Sequence, residues 1–159
     1  MSDIVDRNTR SRMMAGIKST NTRPEMIIRR GLHHLGFRFR LHSKKLPGKP
    51  DLVLPKYGAV IQVQGCFWHG HDCQLFKWPS TRKDFWQKKI LGNIERDIRT
   101  NNKLRELGWR ILSIWECSLK GKDRLPVEDV LTRSASWLRS DAQTGCISGK
   151  RTNDTRVTR

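Results

Sequence analysis

Two stretches of the chain hold side chains whose type and spacing could do chemistry. The segment Cys66-Phe67-Trp68-His69-Gly70-His71-Asp72-Cys73 sets two thiols and two imidazoles within eight residues. Tetrahedral zinc takes four nitrogen or sulfur ligands, and a close group from one loop joined by a ligand from a distant strand end makes a workable structural site. Cys117 ends the stretch that begins at Trp109, so the expected zinc set is Cys66, His71, Cys73 and Cys117, with His69 left over. The competing reading takes these cysteines as small buried hydrophobes and the histidines as polar surface.

The second stretch is Pro50-Asp51, a carboxylate beside Lys49 at the start of an apolar run. Hydrolysing a phosphodiester requires neutralising charge on the phosphorane, activating a water and stabilising the leaving oxygen, and carboxylate-held Mg²⁺ serves all three. Asp51 is therefore the first candidate ligand for such an ion. A widespread nuclease pattern follows Pro-Asp, after a variable gap, with Glu/Asp-x-Lys. Its second half would fall at Gln62-Val63-Gln64, where both charged positions are Gln. On the competing reading Asp51 makes only a local turn bond.

These residues need elements to position them. Thr22-Arg23-Pro24-Glu25 reads as a capping box, and Ile28, Leu32 and Leu35 recur at helical spacing until Gly36, so Glu25 sits in the first turn of a core-facing helix. Phe37, Phe39 and Leu41 alternate with basic residues and His42, the period of a half-buried strand. Strands over 51–54 and 59–64 form a hairpin, and the Cys/His loop follows them. Thr81-x-x-Asp84 then opens a long helix in which Trp86, Ile90, Ile94, Asn101 and Leu104 lead to Gly108. A strand over 109–115 and an amphipathic helix from Pro126 to Leu138 complete the order helix, three strands, helix, strand, helix. The simplest architecture is α/β, a central mixed sheet with helices on both faces.

The organisation expected is an N-terminal arm over residues 1–20, one domain over 21–139, and a disordered Ser/Thr/Arg/Gly-rich tail over 140–159 in which Cys146 is a bystander. Lys and Arg number 32 against 15 Asp and Glu, a net charge of +17, which points to a polyanionic partner, nucleic acid first. Six Trp and five Phe argue against a wholly disordered basic chain. No run approaches the roughly 18 apolar residues a membrane span needs, and the acidic start of the chain lacks an apolar signal core, so a cytoplasmic protein with no membrane partner is expected.

The loop Gly65-Cys66-Phe67-Trp68-His69-Gly70-His71-Asp72-Cys73 resembles that of the very short patch repair (Vsr) DNA mismatch endonucleases. Arg10-Ser11-Arg12-Met13-Met14, Leu46-Pro47-Gly48-Lys49-Pro50-Asp51, Phe85-Trp86, Asn93-x-Glu95-Arg96-Asp97, and Leu107 to Leu112 with Trp115-Glu116-Cys117 fit the same pattern in order. The resemblance implies a restriction-endonuclease-like fold and a nick 5′ of the T in a T:G mismatch left by deaminated 5-methylcytosine. It implies catalytic Mg²⁺ held by the Asp51 side chain and the Val63 backbone carbonyl, His69 as the base that activates water, Glu25 beside the metal orienting water or His69, and structural Zn²⁺. Phe67, Trp68 and Trp86 would insert into the DNA from the major-groove side and Met14 from the minor groove. On helical spacing alone, Trp86 reads equally as core. The implied partners are duplex DNA with a T:G mismatch, bacterial mismatch-repair factors and a paired cytosine methyltransferase, with the enzyme acting as a monomer in the nucleoid. The alternative from another class is a zinc-stabilised DNA-binding protein without catalysis, in which Gln62 and Gln64 mark a dead site.

Overall fold

The computed structural model describes residues 20–150 of the chain. The expected arm, with Met14, therefore lies outside the described residues except for residue 20. Helix α1 (Arg23–His34) begins where Thr22 Oγ1 accepts the Glu25 N–H at 3.4 Å, with Pro24 in the first turn. The second half of the expected capping box is not made, because Glu25 is only 1% exposed and its carboxylate turns inward to Arg29 and His42. Ile28 and Leu32 are buried, and the chain turns away beyond the helix end at Gly36, whose φ of +96° favours glycine. Leu35, expected on the apolar stripe, is the C-cap and stands exposed.

The strand expected over Phe37–Leu41 shrinks to β1 (Arg40–Leu41), an edge pair with both residues exposed. Phe37 is buried all the same, in contact with Tyr57, so its alternation reflects packing under α1 rather than a sheet face. Strands β2 (Leu52–Leu54) and β3 (Ala59–Gln64) form the expected hairpin around a 3₁₀ turn at Pro55–Tyr57. Helix α2 (Lys83–Glu106) crosses over to β4 (Arg110–Trp115), which is followed by α3 (Val127–Arg139). The start of α2 is not a capping box. Arg82 precedes it at φ +51° with no side-chain cap, and Asp84 is exposed.

The sheet runs β1-β2-β3-β4-β5, antiparallel as far as β3 and parallel from there. Its fifth strand, β5 (Thr144–Ile147), corrects the expectation of a disordered tail beginning at 140, and it extends the domain past 139. Without β5 one edge of β4 would present unpaired N–H and C=O groups, and a polar segment can satisfy them without apolar periodicity of its own. Ile147 adds a buried side chain to the core, and Arg110 fastens the approach by donating to the carbonyls of Tyr57, Trp137, Leu138 and Ala142.

Helices do cover both faces of the sheet. Leu52, Leu54, Ile61, Leu112 and Ile114 pack with Ile28 and Leu32 of α1 and Val130 and Leu138 of α3, while Val53, Val60 and Ile111 pack with Leu104 of α2. The alternation of strand side chains places Gln62 and Gln64 on the α2 face. No helix among the described residues is long and apolar enough to cross a membrane.

Candidate active site

The carboxylate site forms where the start of β2 meets the end of β3. Asp51 precedes β2, and its Oδ2 accepts the Val63 N–H at 2.7 Å. The N–H and C=O of one strand residue point to the same edge, so the Val63 carbonyl faces the same side as Asp51. Glu25 enters from the first turn of α1, where Arg29 Nη1 lies 3.2 Å from Oε2. His42, which follows β1, places Nε2 3.1 and 3.0 Å from the two Glu25 oxygens. Ligand atoms of Glu25, His42 and Asp51 all lie within 4.8 Å of one another. Burial, opposed by the Val63 bond and reinforced by the facing Glu25 carboxylate, pushes the Asp51 carboxyl up to about 7. Two carboxylates crowded in this way form a site that gains from a cation, and oxygen donors are what Mg²⁺ takes.

The Cys/His loop leaves the same end of β3 and docks on α2. Gly70 adopts φ +60°, and a Cβ there would lie 2.7 Å from Ile94 and 2.9 Å from Ile90, so only glycine lets the loop approach so closely. Between those two isoleucines Asn93 donates to the Trp68 carbonyl at 2.9 Å, and one turn on Asp97 Oδ2 meets His69 Nδ1 at 2.5 Å. That bond fixes the imidazole and leaves Nε2 as its second nitrogen for proton transfer. Sequence reasoning assigned Asp97 no role. Its signal was a carboxylate three residues beyond Ile94 and four before Asn101, on the stripe of α2 that faces the sheet and loop. His42 gives no such signal, because in the sequence it closes a strand-like alternation.

Gln62 and Gln64 are buried and committed to each other. Gln64 Nε2 donates to Gln62 Oε1, and Gln62 Nε2 donates to Asn101 on α2, both at 3.1 Å. They make a neutral amide chain and supply no charged group.

Cys66, His71, Cys73 and Cys117 come together as expected, with ligand atoms within 4.8 Å of one another and all three cysteines buried and unpaired by disulfides. Cys117 Sγ lies 3.7 Å from His71 Nδ1, near the roughly 3.6 Å expected between sulfur and nitrogen ligands on one tetrahedral zinc. The hydrogen bond with Cys66, then His71 and the Gly149 N–H at 3.3 Å, pull Cys117 down to about 4. The same bond to Cys117, with burial, drives Cys66 far upward, and burial raises Cys73. Gly149 belongs to the segment expected to be disordered, yet a Cβ there would lie 2.7 Å from the Asp123 and Cys117 carbonyl oxygens.

Phe67, Trp68 and Trp86 meet in a half-buried cluster, with ring centroids 5.2 to 5.9 Å apart. Trp86 therefore packs against the loop aromatics rather than entering the sheet core. Exposed Trp78 and Phe85 extend the patch. Lys44, Lys45 and Lys49, just before Asp51 in the chain, and Lys77, Lys83, Lys88 and Lys89, in the segment that carries Trp78, Phe85 and Trp86, are all exposed.

A carboxylate pair, an oriented imidazole and a half-open aromatic patch on so basic a chain are the features of a hydrolase that acts on nucleic acid. The family model described as DNA mismatch endonuclease Vsr matches residues 2–75. The chain is 44% identical over 138 residues to the DNA mismatch endonuclease Vsr of Escherichia coli K12, covering 87% of this chain and 88% of that protein. It is 43% identical to the type II nicking enzyme V.NmeAIP of Neisseria meningitidis, covering 77% of this chain and 87% of the relative. Against V.XorIIP of Xanthomonas oryzae, also a type II nicking enzyme, the figures are 45%, 75% and 88%. The chain belongs to the Vsr DNA mismatch endonuclease family.

Asp97 gives a first expected outcome. Asp97→Asn keeps a side chain of the same shape but removes the charge that holds His69, so nicking should fall roughly 10- to 100-fold with DNA affinity unchanged. Single-turnover nicking beside a binding isotherm checks this, and unchanged turnover would make the contact merely structural.

Proposed function

We propose that this protein nicks one strand of duplex DNA 5′ to the T of a T:G mismatch arising from deaminated 5-methylcytosine, as the first step of very short patch repair on bacterial chromosomal DNA. The observation that carries the reading is the Asp51–Glu25 carboxylate pair set at the end of β3, from which the loop bearing His69 departs. The mixed sheet with helices on both faces suits an elaborated restriction-endonuclease-like fold.

In this reading Asp51 and the Val63 carbonyl would hold Mg²⁺. Bound there, the ion would neutralise charge on the phosphorane and stabilise the leaving oxygen. Asp97 holds His69 by Nδ1, and Nε2 accepts a proton from the attacking water. Glu25, anchored by Arg29 and His42, keeps a second carboxylate beside that water. The four donors of Cys66, His71, Cys73 and Cys117 suit structural Zn²⁺, which would pin the loop that holds His69. The exposed lysines would contact phosphates, and the aromatic patch would detect the mismatch by its ease of unstacking. Neutral Gln62 and Gln64 do not argue for a dead site, because a backbone carbonyl ligand is indifferent to side-chain type and the imidazole comes from the loop.

The test is a nicking assay with Mg²⁺ on a T:G duplex and on its homoduplex. One nick 5′ to the mismatched T, with the homoduplex intact, is the expected result. Binding without cleavage, or double-strand cuts without a mismatch, would overturn it. In the same assay Phe67→Ala and Trp68→Ala should cut the preference for mismatch over homoduplex about tenfold while total affinity falls less; equal losses on both substrates would count against the wedge.

A further inference from the structure

His42 anchors Glu25, and its geometry allows more. We propose that His42, and with it Glu25, ligates the cation assigned to Asp51 and the Val63 carbonyl, so that three side chains join one carbonyl in a site whose imidazole nitrogen favours Mn²⁺ over Mg²⁺. The proposal rests on the cation reading of Asp51.

The donor atoms of the three residues lie within 4.8 Å of one another, and His42 Nε2 stands 3.0 and 3.1 Å from the Glu25 oxygens. Two donors at right angles on a cation with bonds near 2.1 Å are about 3.0 Å apart, so the spacing is that of neighbouring ligands. Charge points the same way. Arg29 lies against Glu25 and offsets one carboxylate, which leaves the Asp51 charge without a cationic partner of its own in the cluster.

The backbone is arranged to bring this ring inward. His42 adopts φ +46°, a conformation a non-glycine residue rarely takes, directly after β1, and its N–H donates to the Asp51 carbonyl at 3.2 Å. Continued extended backbone would have kept the strand-like alternation instead. Of the neighbouring amides, Gln62 gives its oxygen to Gln64 and its nitrogen to Asn101. Carboxylate, carbonyl and water ligands suit Mg²⁺ and Mn²⁺ alike, whereas an imidazole moves a site toward the transition metals.

The experiment uses the zinc-loaded full chain titrated with Mn²⁺, read by the loss of the free-ion electron paramagnetic resonance signal and by ¹⁴N spin-echo modulation of the bound ion. The wild type should bind Mn²⁺ more tightly than Mg²⁺ in competition and show ¹⁴N coupling. His42→Gln retains a side chain able to bond Glu25, and its unfolding midpoint reports whether it folds. It should lose the coupling and at least about tenfold in Mn²⁺ affinity, with Mg²⁺ affinity changing less. Bound Mn²⁺ without ¹⁴N coupling in the wild type, or coupling that survives in His42→Gln, overturns the role of His42. Mn²⁺ binding that persists unchanged in Asp51→Asn overturns the cation reading beneath it while leaving the assignment of His42 to be judged by its own signal.

Discussion

Asp51→Asn is expected to reduce nicking by on the order of 10³-fold or more and, at pH 8 without added divalent cation, to make the zinc-loaded protein more stable than the wild type. The activity loss follows from replacing an anionic ligand with a neutral amide. The stability gain follows from the environment of Asp51, whose carboxyl is raised from 3.8 to about 7, by burial first and by Glu25 in addition. Below pH 4 both folded and unfolded chains hold this proton, so it contributes no difference. Between pH 4 and 7 the unfolded chain releases the proton while the folded one keeps it, and stability therefore declines as pH rises. Above pH 7 the full deficit is present. A shift of about three pKa units sets a ceiling near 4 kcal/mol, and partial access of water to Asp51 reduces the expected gain to roughly 1–2 kcal/mol. The amide can still accept the Val63 N–H, so the variant loses no backbone partner. Urea midpoints for both zinc-loaded proteins at pH 6 and pH 8, where the Cys/His ligands keep their zinc, give the check. The gap should be wider at pH 8 than at pH 6, and added Mg²⁺ should narrow it by stabilising only the wild type. A gap independent of pH would mean that the carboxylates are not crowded as described.

The parts of this site that were legible in the sequence are those held by local pattern. The spacing of Cys66, His71 and Cys73 on one loop, the position of Asp51 at a strand start, and the placement of Glu25 by an N-cap are each encoded within a few residues. What sequence reasoning missed depends on long-range closure. Asp97 acquires its partner only when the loop docks on α2 through Gly70, so the pattern marks an inward-facing carboxylate without naming a contact 28 residues away. His42 looked like the polar member of an alternating strand, but its backbone turns left-handed and sends the ring to a carboxylate 17 residues earlier. The edge strand β5 was invisible for a related reason. It needs only backbone pairing with β4, and a short polar stretch at a sheet edge shows no periodicity by which to find it.

The same edge strand bears on the second large expected effect. Cys117→Ala should lose both bound zinc and cooperative unfolding, whereas Cys146→Ser, at an exposed position on β5, should keep both. Cys117 joins three otherwise separate parts of the fold. Its thiolate faces His71 of the loop, its own N–H donates to Cys66 Sγ at 3.3 Å, and its sulfur accepts the N–H of Gly149 beyond β5. Removing the sulfur leaves a group of three ligands and a buried Gly149 N–H without its acceptor. Binding of structural zinc is worth on the order of 10 kcal/mol in small domains, comparable with the whole stability of a chain this size, so the variant should unfold broadly or not fold at all. Because Gly149 supplies one of these bonds and admits no Cβ, truncation after residue 143 should also weaken zinc retention, even though it removes no ligand. Zinc content by mass spectrometry and thermal unfolding of the three proteins settle the matter. A Cys117→Ala protein that unfolds as sharply as the wild type would show that the Cys/His cluster holds itself together by packing alone.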